Sequence, residues 1–309
     1  MTLSANDLQD QNRSEVPTQT TTNTAWGNLI GKCKATGQRL TLPAFTTLNE
    51  RYNVLASASI GVKNGPDFVL KYFGVGIRGS NDIGRDAQGV TRMKVNQHQP
   101  LDMNMFTAIP LACRPLTEDF DNLTRSQYRM RVVLPIDGVQ YAFYYLKLIN
   151  FTNYDPQVSM ITRDDAGNET PVPHVPIKDD LFNPQPVEFT SEGSVPISNR
   201  YLNSSAILDC SLNGRDLQEL QNACRVMFKD ASYAAINEVM VCWGIDTQND
   251  GQIGGGGMIR YTEAMSVVAA HYMTERDARN AVNNTQIQLA LDHGASEPML
   301  LHTNSTLGG

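Results

Sequence analysis

The sequence predicts an α+β protein that is rich in β structure, with antiparallel sheets, a few short helices and extended terminal arms. Three observations carry this. A hairpin is written into the middle of the chain, where residues 128–134 and 139–151, rich in aliphatic and aromatic side chains, flank Asp137-Gly138. That dipeptide suits the two left-handed positions of a tight turn. The helical patterns are brief. Both ends are polar.

The first helical pattern covers 47–59. Thr47 and Glu50 have capping-box spacing, Leu48, Tyr52, Leu55 and Ser59 recur at helical period, and Asn64-Gly65-Pro66 follows as a stop. The second covers 215–228, with Leu217, Leu220, Cys224 and Phe228 on one stripe. Strands are predicted over 68–77, 205–212, 236–245, 258–273 and 285–291. Thr274-Glu275-Arg276-Asp277 reads as the opening of a short helix. Residues 79–100, rich in Gly and Asn, read as a long loop. A Gly-containing turn at 164–168 separates two further short segments.

The domain organisation that follows is an N-terminal arm (1–45, of which 1–25 is almost free of apolar residues), a β-rich domain (46–170), a Pro-rich connector (171–200), an α+β domain (201–294) and a C-terminal arm (295–309). The connector holds Pro171, Pro173, Pro176, Pro184, Pro186 and Pro196, a density suited to irregular or polyproline-like chain. Arms of this composition bury too little apolar surface to fold alone and order against partners.

Charged residues are 18% of the 309, below the share of about 25% in ordinary globular domains. Asn, Gln, Ser and Thr take their place. Uncharged polar groups lose less on desolvation than charges, so this surface suits a chain covered by neighbours. Net charge is −7 and no three basic residues are consecutive, which argues against direct nucleic-acid binding. No apolar run is long enough for a membrane span; the longest, 139–151, is interrupted by Gln140, Lys147 and Asn150. The polar N-terminal residues lack a secretory signal's apolar stretch, so a reducing cytosol is expected. Cys33, Cys113, Cys210, Cys224 and Cys242 are then free thiols.

Several motifs invite chemistry. Gly74-Val75-Gly76-Ile77-Arg78-Gly79 matches GxGxxG, but no helix pattern follows and His98 with glutamines occupies the place of an acidic ribose partner, so a strand running into a loop is preferred. Asp246 to Gly257 resembles a calcium loop at its first, fifth, sixth and eighth positions, but its twelfth is Gly257 instead of a bidentate Glu; a hairpin turn is preferred. His98, His174, His271, His293 and His302 show no paired ligand spacing. Tyr141, Phe143, Tyr144 and Tyr145 could form an interface or ligand platform; hairpin core packing accounts for one face of them. No catalytic, cofactor-binding or metal-ligating residue is expected, and the chain reads as a non-enzyme without a cofactor.

Polar arms, few charges, a β-rich middle, a Pro-rich connector and the absence of an active-site motif together resemble virion proteins of tailed bacteriophages. Within that group the blocks Lys63-Asn64-Gly65-Pro66-Asp67, running into 68–77, Ile236-Asn237-Glu238-Val239 and Arg260-Tyr261-Thr262-Glu263-Ala264 resemble a baseplate-wedge or tail component of a contractile-tailed phage. The resemblance implies a structural subunit acting through protein–protein contacts with other virion proteins, in a homo-oligomer or multi-subunit assembly, built in a bacterial cytoplasm and resident in the virion. A neck or capsid-associated subunit is an alternative. So is a receptor- or carbohydrate-binding module using residues 79–100 and 251–257.

Overall fold

The structure is a computed structural model that describes residues 18–164, 168–184 and 197–300. It is strand-rich, with antiparallel sheets and few short helices, as the sequence predicts. The chain divides into two compact units. The first runs up to Ile149 and resumes over Leu212–Ile287; the second is Asn150–Ser211 with the chain from Gln288 onward.

The first unit begins with β1 (Gln19–Asn23), α1 (Ala25–Thr36), β2 (Arg39–Leu42), α2 (Leu48–Tyr52), α3 (Ala56–Ser59) and β3 (Gly61–Asn64). It continues with β4 (Val69–Ile77), β5 (Ser80–Arg85), β6 (Thr91–Val95), β7 (Thr107–Ile109), β8 (Ala112–Pro115), α4 (Asn122–Arg125), β9 (Tyr128–Ile136) and β10 (Val139–Leu148). The second unit contributes β11 (Gln157–Arg163), β12 (Glu169–Pro173), α5 (Lys178–Phe182) and β13 (Ile197–Asp209). The chain then returns to the first unit with α6 (Gly214–Phe228), β14 (Ala235–Gln252) and β15 (Met258–Asn280). β16 (Ala290–Leu300) completes the second.

The main sheet has the order β1-β15-β14-β4-β10-β8, with β7 also on β4 and β9 also on β10, and every pairing is antiparallel. Because β4 pairs with β14, most of the segments 46–170 and 201–294 meet in one sheet, while residues 150–170, 201–211 and 288–294 belong to the second unit, so the two segments are not separate domains. Spatial order overrides chain order here, a result that local patterns do not encode. β9 and β10 form the predicted hairpin, with Asp137 and Gly138 both at positive φ (49° and 81°). Phe143 and Tyr145 pack into the core and Tyr52 stacks on Tyr145 at 4.5 Å. Tyr144, on the other face, lies beside Phe120 and Tyr128. Both faces of this aromatic run are therefore interior.

Residues 25–42, which the sequence places in the N-terminal arm, are folded. Thr24 caps α1 by accepting from the Gly27 N–H at 2.9 Å, and Ile30, Leu40 and Leu42 pack with Phe68 and Val268. The apolar residues here are too sparse to announce a core, and long-range partners supply one. β1 likewise pairs with β15 from Gln19↔Glu275 to Asn23↔His271. Residues 1–17 lie outside the described residues.

The predicted helix 47–59 is broken in two. Asn53 and Leu55 are left-handed, at φ 54° and 51°. The break lets Asn49 and Ser59 reach β15. The Asn49 amide donates to the Val54 and Ala264 carbonyls and accepts from the Val267 N–H, each at 2.8 Å. Ser59 accepts from the Ser266 N–H at 3.0 Å. Ser266 is itself left-handed, at φ 55°, so these side chains satisfy N–H groups that an irregular strand turns away from its neighbours.

Two further expectations are corrected. Residues 79–100 are not a loop: β5 and β6 form a two-stranded hairpin. Residues 274–277 open no helix, because β15 continues through them with Thr274 between Thr20 and Glu238. Pairing on both sides outweighs a local helix-start signal. α6 forms where predicted, closed by a capping box of Asn213 and Asp216.

The second unit is a four-stranded antiparallel sheet of order β12-β11-β13-β16. Within the segment read as a connector, Pro171 and Pro173 lie on the edge strand β12, where a missing N–H costs least. Residues 185–196, including Pro186 and Pro196, lie outside the described residues. Residues 295–300, read as a terminal arm, are strand. Ala295 pairs with Ser204 and Ser296 with Asn203, so backbone pairing orders them although their side chains stay exposed.

Candidate functional site

In the first unit β4 leaves the main sheet at Ile77 and turns sharply into the β5–β6 hairpin. Arg78 makes the turn at φ 79°, a conformation bulky residues rarely adopt. Hydrogen bonds hold it from both sides. Asn96 donates its side-chain amide to the Arg78 carbonyl at 2.6 Å, the Gly79 carbonyl accepts from the Asn96 N–H at 2.8 Å, and the Gly79 N–H donates to the Asn237 side chain at 2.8 Å. A built Cβ at Gly79 would lie 2.0 Å from the Asn237 carbonyl oxygen, so glycine is required for the close approach.

This turn borders a cavity of about 660 Å³ whose wall includes Arg78, Asn81, Ile83, Lys94, Gln97 and Phe106. Beneath it lies a buried polar cluster. The His98 ring is sandwiched between Phe106 (4.0 Å) and Tyr272 (3.8 Å). Its Nδ1 is 2.8 Å from Asp102 and its Nε2 is 2.7 Å from Glu238. Glu238 Oε1 also accepts from the Phe106 N–H at 2.8 Å. The same carboxyl explains the second glycine of the GxGxxG motif. A Cβ at Gly76 would meet Glu238 Oε2 at 2.7 Å and the Thr107 carbonyl at 2.8 Å. Gly74 and Gly76 thus serve close packing inside β4, and Gly79 the close approach at the turn that follows. Gly76→Ala is expected to destabilise the fold by about 1–3 kcal/mol, as overpacking does; denaturant unfolding of the two forms measures it.

Three further carboxylates, Asp246, Asp119 and Glu263, tie segments of chain together. Asp246 accepts from Arg129 Nε at 2.9 Å and the Tyr72 hydroxyl at 2.7 Å, and forms an ion pair with Lys71. Burial alone would raise the Asp246 pKa, but the hydrogen bonds from Arg129, Lys71 and Tyr72 hold it down at about 2. Asp119 accepts from Arg131 at 2.8 Å and from the Tyr144 hydroxyl at 2.7 Å. Burial, then the Asp119 charge, pushes the Tyr144 pKa up. Glu263 is wholly buried and accepts three backbone N–H groups, from Met130 (2.6 Å), Ala264 (2.7 Å) and Arg131 (2.9 Å). Burial raises its pKa and these donors pull it back.

The residues weighed in the sequence are placed as follows. Asp246 and Asp250 lie in β14 and bind cations of the chain itself, Asp250 pairing with Arg260 at 2.9 Å; the calcium-like stretch is strand and hairpin turn. His98 joins the cluster above, His271 lies on β15 and His293 on β16, while His302 is outside the described residues. Among the described residues no three His, Cys, Asp or Glu side chains are placed to hold a metal ion. None of the five cysteines forms a disulfide, and all but Cys33 are buried. Burial pushes the Cys113 and Cys224 thiols up to about 12, so both stay protonated at neutral pH. Among the described residues no helix is long and apolar enough to cross a membrane. No local sequence pattern marks the Arg78 turn or the His98 cluster, apart from Gly79 after Arg78; the partners lie far away in the chain.

The architecture defines a strand-rich α+β protein whose first sheet is built from two separated stretches of chain. The chain belongs to a family of unknown function, DUF7208, whose model matches residues 10–307. Comparison with curated proteins and with solved structures finds no match.

Proposed function

We propose that the chain is a structural subunit of a tailed-bacteriophage particle, in its baseplate or tail, and works through protein–protein contacts. It is assembled in the bacterial cytoplasm and resides in the virion. The observation that carries the reading is an exposed apolar run in the second unit: Val172, Val175, Ile177, Leu181 and Phe182 all stand in solvent within eleven residues, Val175 and Phe182 at 74% exposure. Concentrated exposed apolar surface marks contact with another macromolecule. The low charge content and the resemblance to baseplate-wedge and tail components support the phage context. The buried acids and bases described above serve strand pairing, which suits a scaffold better than a reaction centre.

The test is the double variant Ile177→Asp, Phe182→Asp in the full chain. Both side chains are already exposed, so the variant is expected to keep its melting midpoint within about 1–2 °C, in line with surface substitutions. It is expected to drop out of particles in a complementation assay. Normal incorporation would refute the apolar run as the contact surface.

A further inference from the structure

The cavity beside the β5–β6 hairpin has the composition of a ligand site. Two cations, Arg78 and Lys94, meet on its wall, and neither has an ion-pair partner among the described residues. The chain around them carries a net charge of −7, so their convergence runs against the overall field. Amide side chains of Asn81 and Gln97 stand on the same wall, with Ile83 providing an apolar patch. Phe106 is 41% exposed. One face of its ring rests on His98, whose position Asp102 and Glu238 fix, and the ring also lines the cavity.

The backbone supplies an independent sign. Arg78 is held in a left-handed conformation by three hydrogen bonds across two neighbouring segments. Strain of this kind costs about 1–3 kcal/mol and persists where surrounding structure enforces it, often at ligand sites. Here it places Arg78 on the wall of a cavity whose volume is ordinary for a small-molecule site.

We propose that this cavity binds an acidic saccharide. Arg78 and Lys94 take the carboxylate, Arg78 through its two-pronged fork. Asn81 and Gln97 read hydroxyls, each amide offering both donor and acceptor. Phe106 receives the apolar face of the sugar ring. The proposal is independent of the structural-subunit reading; a subunit can carry such a site without depending on it for assembly.

Calorimetric titration of the full chain at low salt tests it, with 3′-sialyllactose, a glucuronate-containing hyaluronan tetrasaccharide, lactose and inorganic phosphate as probes. At least one acidic saccharide is expected to bind with a dissociation constant in the range of about 1 mM or tighter, and lactose about tenfold more weakly. Added salt is expected to weaken the acidic saccharide, because exposed charges are screened. Arg78→Gly removes the cation while suiting the positive φ, and Lys94→Gln removes the second cation; each is expected to weaken binding about tenfold, the loss of one charge-assisted contact, with an unchanged or higher melting midpoint. If Arg78→Gly melts early, Lys94→Gln alone decides. Binding of neither acidic saccharide, equal binding of lactose, or affinity unaffected by either substitution overturns the proposal. Phosphate binding as tight as that of the saccharides also overturns it, in favour of a simple anion site.

Discussion

Glu263→Ala is expected to cost about 3–5 kcal/mol of unfolding free energy, enough to unfold a marginal domain. The carboxyl group is the acceptor for three buried backbone N–H groups, those of Met130, Arg131 and Ala264. Met130 sits at φ 56° within β9, so its N–H faces away from the neighbouring strand and has Glu263 in place of a ladder partner. Each buried donor left unsatisfied costs about 1–3 kcal/mol, and the cavity left by the truncation adds to that. Glu263→Gln keeps one acceptor oxygen and sets an amide N–H₂ against the remaining donors, so it is expected to recover only part of the loss. Chemical denaturation of the three forms measures the order wild type, Gln, Ala. A Gln form as stable as wild type would show that the three N–H groups do not need two acceptor oxygens.

Asp246→Ala is expected to cost about 3–5 kcal/mol, because it leaves Arg129, only 5% exposed at its side chain, buried without its partner. The same carboxylate sets an acid limit. Its folded pKa of about 2 lies below the ordinary 3.8, so the folded state binds this proton less readily than the unfolded chain. The contribution is complete above about pH 4 and is lost as the pH falls towards 2. The shift is worth about 2 kcal/mol, reduced to about 1 kcal/mol by solvent screening of a partly exposed group. Asp246→Asn is expected to remove that share of the decline in stability between pH 4 and pH 2. Melting midpoints across this range for both forms check it; parallel curves would mean that Asp246 does not set the slope.

What was legible in the sequence is what depends on neighbours in the chain. The β9–β10 hairpin follows from Asp137-Gly138 between two runs rich in aliphatic and aromatic residues, α6 from its apolar stripe, and β4 from its aliphatic and aromatic content. What was not legible depends on distant partners. α1 and β2 gain their core from Phe68 and Val268, and residues 274–277 remain strand because β1 and β14 pair on either side. The ion clusters join residues far apart in the chain, Arg129 to Asp246 across 117 positions and Met130 to Glu263 across 133. The Arg78 turn is of the same kind: its positive φ is enforced by Asn96 and Asn237, and an arginine carries no turn signal of its own.

The central claim is that the protein acts by being held among neighbouring subunits. Under the phage-subunit proposal, its most direct test is a cryo-EM map of tailed-phage particles purified from cells that produce this chain during infection. The expected result is the chain in the baseplate or tail, with Val175, Ile177, Leu181 and Phe182 covered by an adjacent protein. Its absence from the particle, or its presence with that run still facing solvent, would contradict the claim.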